Sequence, residues 1–434
     1  MIKLARLYIK YINNLLNINN VTLSVYNTLM KNILYKDLFA GLITALFFSA
    51  FIYLEDFGIT IKFLNTFFGL LAITFLLYIS KRAILIAGFF IGIFWFYWIG
   101  YSFEYNGVGY LTPFITFAFG IIYMLFFGTL ALTNKVYIRA ILLFLLSFFE
   151  PFDWNWMQIE LLFVDSYIGI QKFQLLLVLL ALSLPFYIKN RYKYTPLLLL
   201  VFAYNQMPYS QIEQSQSQLK IKLIQTQIKQ DYKWTSEAFV PTIKMIYKEI
   251  QNAIDEKYDL IIFPESVFPL HMNKNEKLIN ILKEFSYKIS IVAGSLMSEN
   301  GKNYNVTYMF ENGDFKIAKK LVLVPFGEYI PLPKFAQDYI NKKFFAGAAD
   351  FETAAQPTDF IIKGIKFRNA ICYEATCQEI YDGDVNFVIA TSNNAWFAPS
   401  IEPTLQKLLM RYYARKNGVT IYHSANYRGT GIVK

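Results

Sequence analysis

Three reactive side chains of different kinds stand in short, distinctive surroundings in this sequence. A thiol lies in Cys372-Tyr373-Glu374, a carboxylate in Phe263-Pro264-Glu265-Ser266, and an amine at Lys320, eight residues before Glu328. Together they can run acyl transfer through a thioester. A thiol attacks as its thiolate, and its free pKa is about 8.5, so it needs a base and a nearby cation. Only two histidines are present, which leaves a Cys–His or Ser–His pairing little to draw on and makes a carboxylate the expected base. Glu265 would take the thiol proton, and Lys320 would stabilise first the thiolate and then the tetrahedral oxyanion. The Tyr373 backbone N–H is a candidate second oxyanion donor. Glu328 could orient the lysine or a substrate group, and Glu374 could bind water or an incoming amine. Cys377 reads as a structural thiol. Singly, each residue has a plainer reading: a strand-end cysteine packs as a small hydrophobe, a glutamate after Phe-Pro caps or faces solvent, and a lysine in Lys319-Lys320 is solvated. Their order, each at the end of an expected strand, favours the chemical reading.

The elements that would position them follow from alternation in the polar half. Strands are expected over 219–225, 260–263, 289–293 and 385–391, and helices over 235–256, 275–285 and 403–416. Hairpins are expected at 304–310 with 315–320, around Asn312-Gly313, and at 360–362 with 366–371, around Lys363-Gly364. Strand–helix alternation with antiparallel insertions implies a layered α/β domain. In such sheets, groups at the carboxyl ends of strands share a crevice, which suits Glu265 and Cys372, with Lys320 approaching from the side.

The chain has 434 residues, too many for one average domain, and its 55% hydrophobic content is concentrated before about residue 208. Apolar blocks occupy 38–54, 59–80, 83–103, 111–132, 137–149, 167–188 and 196–207. Four reach the roughly twenty residues that cross a hydrocarbon layer of about 30 Å, while the fifth and seventh are short enough to be re-entrant or protein-packed. Lys3, Arg6, Lys10, Lys31 and Lys36 precede the first block; Lys81, Arg82, Lys135, Arg139, Lys189, Arg191 and Lys193 fall in alternate loops. The intervening loops carry Glu55, Asp56, Glu104, Glu150, Asp153, Glu160 and Asp165. Basic loops on alternate sides imply a cytoplasmic N-terminus; after seven crossings, everything beyond Pro208 would lie outside. Residues 1–33 are expected to be a cytoplasmic or interfacial extension, 34–208 a transmembrane domain of about seven helices, 209–218 a linker, and 219–434 the catalytic domain. No cleavable signal peptide is evident. The net charge of +10 fits the loop bias better than a nucleic-acid surface. Two cysteines exclude a disulfide scaffold and a four-cysteine zinc site.

These segments resemble the carbon–nitrogen hydrolase (nitrilase) superfamily and, within it, the membrane-embedded apolipoprotein N-acyltransferase family. The resemblance is carried by Ile224–Ile228 with Gln230, Lys233 and Trp234, by Pro264-Glu265-Ser266-Val267-Phe268-Pro269, by Lys320 through Glu328, by Ile371–Glu374, and by Ser392-Asn393-Asn394-Ala395-Trp396-Phe397. The helical half matches in outline, with an aromatic segment Phe152-Asp153-Trp154-Asn155-Trp156. The resemblance implies an αββα sandwich with a Glu265, Lys320 and Cys372 triad, and no metal or cofactor. It implies that Cys372 takes a fatty acyl chain from a phospholipid and passes it to the α-amine of a diacylglyceryl-modified N-terminal cysteine on an apolipoprotein. It implies a multi-pass protein of the bacterial inner membrane with its catalytic domain on the periplasmic side. Trp234, Trp396 and Phe397 would lie near the lipid entrance or nucleophile.

The sequence departs from the pattern in places. Ala318-Lys319 stands where the family has Tyr-Asp, which puts a competing amine beside Lys320; the spacing to Glu328 favours Lys320. Ala398 replaces a glycine, and the family's Gln-His after Pro403 is shifted to Gln406-Lys407. After Asn426 no closing strand and no final span is expected, so either this branch is shorter or the chain is truncated. Two other functions stay open: a membrane-tethered amidase with water as acceptor, and an inactive scaffold or transport protein.

Overall fold

The computed structural model describes residues 34–151, 154–205, 217–325, 327–329 and 351–434. The expected extension over 1–33, most of the 209–218 linker, Phe152-Asp153 and Phe326 lie outside the described residues. The apolar half builds α1 (Leu34–Asp56), α2 (Lys62–Tyr78), α3 (Lys81–Phe96), α4 (Thr112–Gly128), α5 (Val136–Leu146) and α6 (Lys172–Ser183). With their 3-10 turns α3 runs on to Tyr105 and α4 spans Gly109–Leu132, so α1, α3 and α4 are long and apolar enough to cross a bilayer. α3 and α4 approach closely because Gly88 and Gly92 present no side chain. A Cβ on Gly92 would stand 2.3 Å from Phe119 O, and one on Gly88 2.6 Å from Tyr123 O. Small residues four apart are how apolar helices come together where lipid offers no hydrophobic drive. Phe39, Phe63, Phe114, Phe117 and Leu125 point outward and are exposed.

Two later elements are shorter than the sequence pattern implies. α5 has 11 residues and α6 has 12, about 16–18 Å at 1.5 Å per residue. The 167–188 block loses its first turn because Ile168 bridges Tyr204 instead. Gln174 then turns back, accepting from Gln171 N at 3.0 Å and donating to Tyr204 O at 3.1 Å, which fixes where α6 starts. The last block forms only the turns Thr195–Leu198 and Leu199–Phe202.

Helix ends gather at two poles. At one, Ser80 Oγ donates to Asp37 Oδ1 (2.5 Å), Lys81 Nζ to Leu132 O (3.4 Å), and Arg139 to the carbonyls of Leu77, Ile79 and Thr133. At the other, Glu55, Asp56, Tyr105 and Asp165 meet the polar half.

The polar half holds two sheets face to face. The first runs β1 (Ile221–Leu223), β2 (Leu260–Ile262), β4 (Ser290–Glu299), β5 (Lys302–Glu311) and β6 (Asp314–Lys319), with β3 (Phe268–His271) beside β4. The second is ordered β11 (Gly431–Val433), β10 (Thr420–Asn426), β9 (Phe387–Asn393), β8 (Ile365–Ile371) and β7 (Asp359–Ile362). The continuous apolar run Leu260–Ile262 serves both faces of its strand. Leu260 and Ile262 enter the inter-sheet core with Phe360, Phe367 and Ile389, while Ile261 packs with α7 (Ser236–Asp255) and α8 (Glu276–Ser286). α9 (Glu402–Asn417) covers the outer face of the second sheet, and one apolar cluster continues from there into the helical half. The four-layer sandwich is the one the resemblance implied. β3, β10 and β11 were not expected, and β11 corrects the expectation that no closing strand follows Asn426: Ile421 to His423 pair antiparallel with Val433 to Gly431.

Candidate active site

Cys372 sits where a strand breaks into a sharp turn. β8 pairs parallel with β9 up to Ile371–Thr391, and the next residue turns to φ +55°. A non-glycine residue in the left-handed region is uncommon and mildly strained, and such residues collect at functional sites. Withdrawal from water, then the nearby Glu265, push the thiol well up, and Lys320 opposes them. The resting thiol is therefore protonated and must lose its proton to react.

Glu265 follows β2 through Phe263-Pro264. Phe263 N donates to Val292 O (2.8 Å) and Gly294 N to Pro264 O (3.3 Å), tying the loop to β4. The approach is so close that a Cβ on Gly294 would stand 2.4 Å from Ser266 N. Glu265 is 7% exposed, and its Oε1 accepts from Asn305 Nδ2 at 2.7 Å. Its backbone oxygen accepts from Lys233 Nζ at 3.0 Å. Lys233 is wholly buried, and burial pulls its amine down to about 8 although Glu265 and Cys372 favour the charged form.

Lys320 is the first residue past β6. Its N–H donates to Asn305 O (2.9 Å), and its buried Nζ pairs with Glu328 Oε2 at 2.6 Å. Burial works against the ammonium, but Glu328 and then Glu265 outweigh it, so the amine is raised and stays charged. Lys319 points elsewhere: it pairs with Glu299 at 2.8 Å and lies over the Tyr304 ring, as strand alternation requires of a neighbour. Asn305 Nδ2 also reaches Glu328 Oε1 at 3.4 Å, so one amide joins the acid and the lysine's partner.

Glu374 has no free carboxylate for water or an amine, which corrects that expectation. Oε2 accepts from Leu321 N (2.7 Å) and Val322 N (3.1 Å), and Oε1 from Ile371 N (2.6 Å). It clips the segment after Lys320 to the strand end before Cys372. Burial raises its carboxyl to about 7, against the pull of Lys320. The Tyr373 ring stacks on Trp154 (5.4 Å) and Trp156 (6.2 Å). Asn155 Nδ2 donates to Thr376 O (2.5 Å) and to Cys377 Sγ (3.5 Å). The helical half thus seats the turn that carries the thiol.

Trp396 packs edge-on to Tyr105 (5.5 Å) and Phe397 to Trp98 (4.8 Å), at the seam between the halves. Trp234 follows the turn Gln230–Lys233 and is 45% exposed. The sequence reading missed Asn305, Lys233 and Gln406 as site residues. Gln406 Nε2 lies 3.8 Å from Cys372 Sγ, and its Oε1 accepts from Asn394 Nδ2 at 3.2 Å. A signal was present for one of them: Lys233 lies in a segment that carries the resemblance, whereas Gln406 lies where the sequence departs from it.

Residues 35–206 match the family model of the apolipoprotein N-acyltransferase integral membrane domain, and residues 220–430 that of the carbon–nitrogen hydrolases. An apolipoprotein N-acyltransferase of Wolinella succinogenes is 43% identical over 400 residues, covering 92% of this chain and 96% of that protein. One from Helicobacter hepaticus is 38% identical over 371 residues, 84% of this chain and 92% of its own. A solved structure of a CN-hydrolase superfamily protein from Xanthomonas campestris aligns at 13% identity and TM-score 0.38, over 49% of this chain and 77% of that one.

Proposed function

The chain belongs to the apolipoprotein N-acyltransferase family, and from that premise we propose that it moves a fatty acyl chain from a phospholipid to a lipoprotein amine through a thioester on Cys372. Glu265 takes the thiol proton as Sγ attacks the ester carbonyl carbon. The oxyanion develops beside the Lys320 ammonium and the Tyr373 N–H, where fixed donors act more strongly than water would. On collapse the C–O bond breaks, Glu265 returns its proton to the glycerol oxygen, and a lysophospholipid leaves. The α-amine of a diacylglyceryl-cysteine then attacks the thioester carbon and the C–S bond breaks. The proton lost by nitrogen passes by way of Glu265 to the departing sulfur.

The observation that carries the reading is the buried Lys320–Glu328 pair beside Glu265, linked to it through Asn305 and bordering Cys372. A permanently charged lysine next to a protonated thiol is of little use to packing and suits a reaction that develops negative charge at sulfur and then at oxygen. The seam at Trp98, Tyr105, Trp396 and Phe397 supports a lipid donor, since it brings the site's own turns against apolar helices.

The two poles of the helical half support an orientation. Lys81 and Arg139 lie at the pole away from the catalytic half, whereas Glu55, Asp56 and Asp165 lie toward it. By the bias of basic residues toward the cytoplasm, the thiol domain faces the periplasmic side of the inner membrane. The alternation of helix ends between the two poles supports seven crossings, counting the final short turns.

Intact mass spectrometry after incubation with phospholipid tests the nucleophile. The native protein gains one fatty-acyl mass and Cys372→Ala gains none; an adduct on Cys372→Ala would remove the assignment. Transfer of that mass to a diacylated lipopeptide distinguishes a transferase from an amidase, which would release it to water. A reporter fused after Pro208 tests orientation, and a cytoplasmic signal there would contradict it.

A further inference from the structure

Glu402 is a buried carboxyl that the reaction above leaves unused. It opens α9, and only 1% of it reaches solvent. Its backbone N–H donates to Ser400 Oγ at 3.1 Å, while its side-chain Oε2 has no hydrogen-bond partner among the described residues. Buried polar atoms are nearly always satisfied, and an exception calls for an explanation. A helix N-terminus favours a negative charge, but a solvent-facing acid would serve that need equally, so burial has another cause. Helix geometry supplies the direction. Residues four apart share a face, and four residues on, Gln406 Nε2 stands 3.8 Å from Cys372 Sγ. Glu402 therefore lies one turn away on the face that meets the thiol. Its neighbours agree: burial and then Glu265 push its carboxyl well up, so it holds its proton until a cation stands beside it.

A buried acceptor that lacks a donor, beside a second carboxylate, suits a cationic hydrogen-bond donor. In the reaction proposed above, one reactant has that character. The acceptor's α-amine has a pKa of about 8 and arrives largely as the ammonium, whereas the phospholipid ester offers no donor at its reacting carbon.

We propose that Glu402 is the binding group for the acceptor amine: its Oε2 takes a hydrogen bond from the amine N–H and holds the nitrogen over the thioester carbon. The inference rests on the thioester reading and adds to it a residue that acts in the second half-reaction only. No covalent bond to Glu402 forms; the ammonium first releases one proton to water, and the free amine then attacks, its second proton passing by way of Glu265 to the departing sulfur.

The test uses the full chain in detergent–phospholipid micelles and compares Glu402→Gln, which keeps an amide oxygen as acceptor, with Glu402→Leu, which keeps none. Acyl-enzyme formation is followed by intact mass, and transfer by adding a synthetic diacylglyceryl-cysteine peptide at several concentrations. Both variants should form the acyl-enzyme at close to the native rate. Transfer by Glu402→Leu should fall by about tenfold or more, with a higher half-saturating peptide concentration, and Glu402→Gln should lie between. Native-rate transfer by Glu402→Leu would overturn the assignment. So would equal loss of both half-reactions in both variants, which would make Glu402 a shaper of the whole site. A native protein that forms no acyl adduct would overturn the thioester reading, and this inference with it, so the two failures are distinguishable.

Discussion

The side-chain amide of Asn305 donates to Glu265 Oε1 across 2.7 Å. The same nitrogen stands 3.4 Å from Glu328 Oε1, and the backbone oxygen of Asn305 receives the Lys320 N–H. A single residue in the middle of β5 therefore fixes both the proposed base and the lysine. Asn305→Ala should slow acyl-enzyme formation about 10- to 100-fold, the value of a hydrogen bond to a charged group, about 1.5–3 kcal/mol. Asn305→Asp should be slower still, because it adds a carboxylate where a donor is needed. The time course of the acyl-mass shift measures both, and native-rate acylation by Asn305→Ala would refute the role.

Gly294 is the counterpart on the backbone side. An alanine there would drive its Cβ to 2.6 Å from Glu265 Cα and 2.4 Å from Ser266 N. The strand is paired on both sides within the sheet, so the loop must give way and carry Glu265 with it. A displacement of about 1 Å at a reacting group can cost on the order of 100-fold in rate. Gly294→Ala should thus remain folded, as judged by circular dichroism, yet lose acylation by about that factor. An active Gly294→Ala would mean that Glu265 tolerates displacement and is not the base.

The layered α/β half and the order of its principal strands were legible because their apolar runs are bounded by turns such as Asn312-Gly313 and Lys363-Gly364. β10 was not, because its Thr420–Asn426 sequence is largely polar and yet wholly buried. Its polar atoms find partners far away in sequence: Ser424 Oγ bonds Ile224 O, and Asn426 Nδ2 bonds Asn393 Oδ1. Hydrophobic periodicity cannot reveal a strand whose burial is secured by hydrogen bonds. Asn305 and Glu402 were hidden because buried polar side chains read as surface residues in the sequence. Glu265, Lys320 and Cys372 were visible through their flanking motifs, whereas the use of Glu374 as a backbone clip depends on amides that only the folded chain brings together.

Arg411 ties the two halves together. It pairs with Asp165 and, at 3.0 Å, with Glu55, while Arg415 holds the other Asp165 oxygen at 3.0 Å. Nearby, Asp56 accepts from Thr404 (2.6 Å) and pairs with Arg428 (3.0 Å). Both acids are largely buried; without Arg411, Asp165 keeps Arg415 but Glu55 is left without its cation, at a cost of about 3 kcal/mol. Arg411→Ala should lower stability by that order in denaturant unfolding of the detergent-solubilised protein. Because α9 carries both Glu402 and Gln406, transfer should weaken as well. Arg411→Ala combined with Asp165→Asn should lose clearly less than the sum of the single variants, and strict additivity would show that the pair does not couple.

His423 makes the fold sensitive to acid. Its ring is fully buried in β10, with Nδ1 2.9 Å from Gly429 O and Nε2 2.8 Å from Ser392 Oγ. A neutral ring that is protonated at Nδ1 satisfies both contacts, since the carbonyl accepts and the hydroxyl donates. Burial holds the imidazole down at about 4, from an ordinary 6.5, with Lys407 adding to the effect and the Gly429 carbonyl opposing it. Between those values the unfolded chain binds the proton and the folded one does not. The stabilisation is therefore complete above pH 6.5 and is lost as pH falls through about 4, on the order of 3 kcal/mol in total. Carboxylates titrate in the same window, so the informative quantity is a difference between proteins. His423→Gln cannot take up a proton there, and it should lower the thermal midpoint near neutral pH, where it loses the fitted ring. Its deficit relative to the native protein should then narrow steadily as pH falls from about 6.5 to about 4. Parallel curves for the two proteins across that window would mean that His423 is protonated in the folded chain, and that its contacts to Gly429 and Ser392 are not those of a neutral ring.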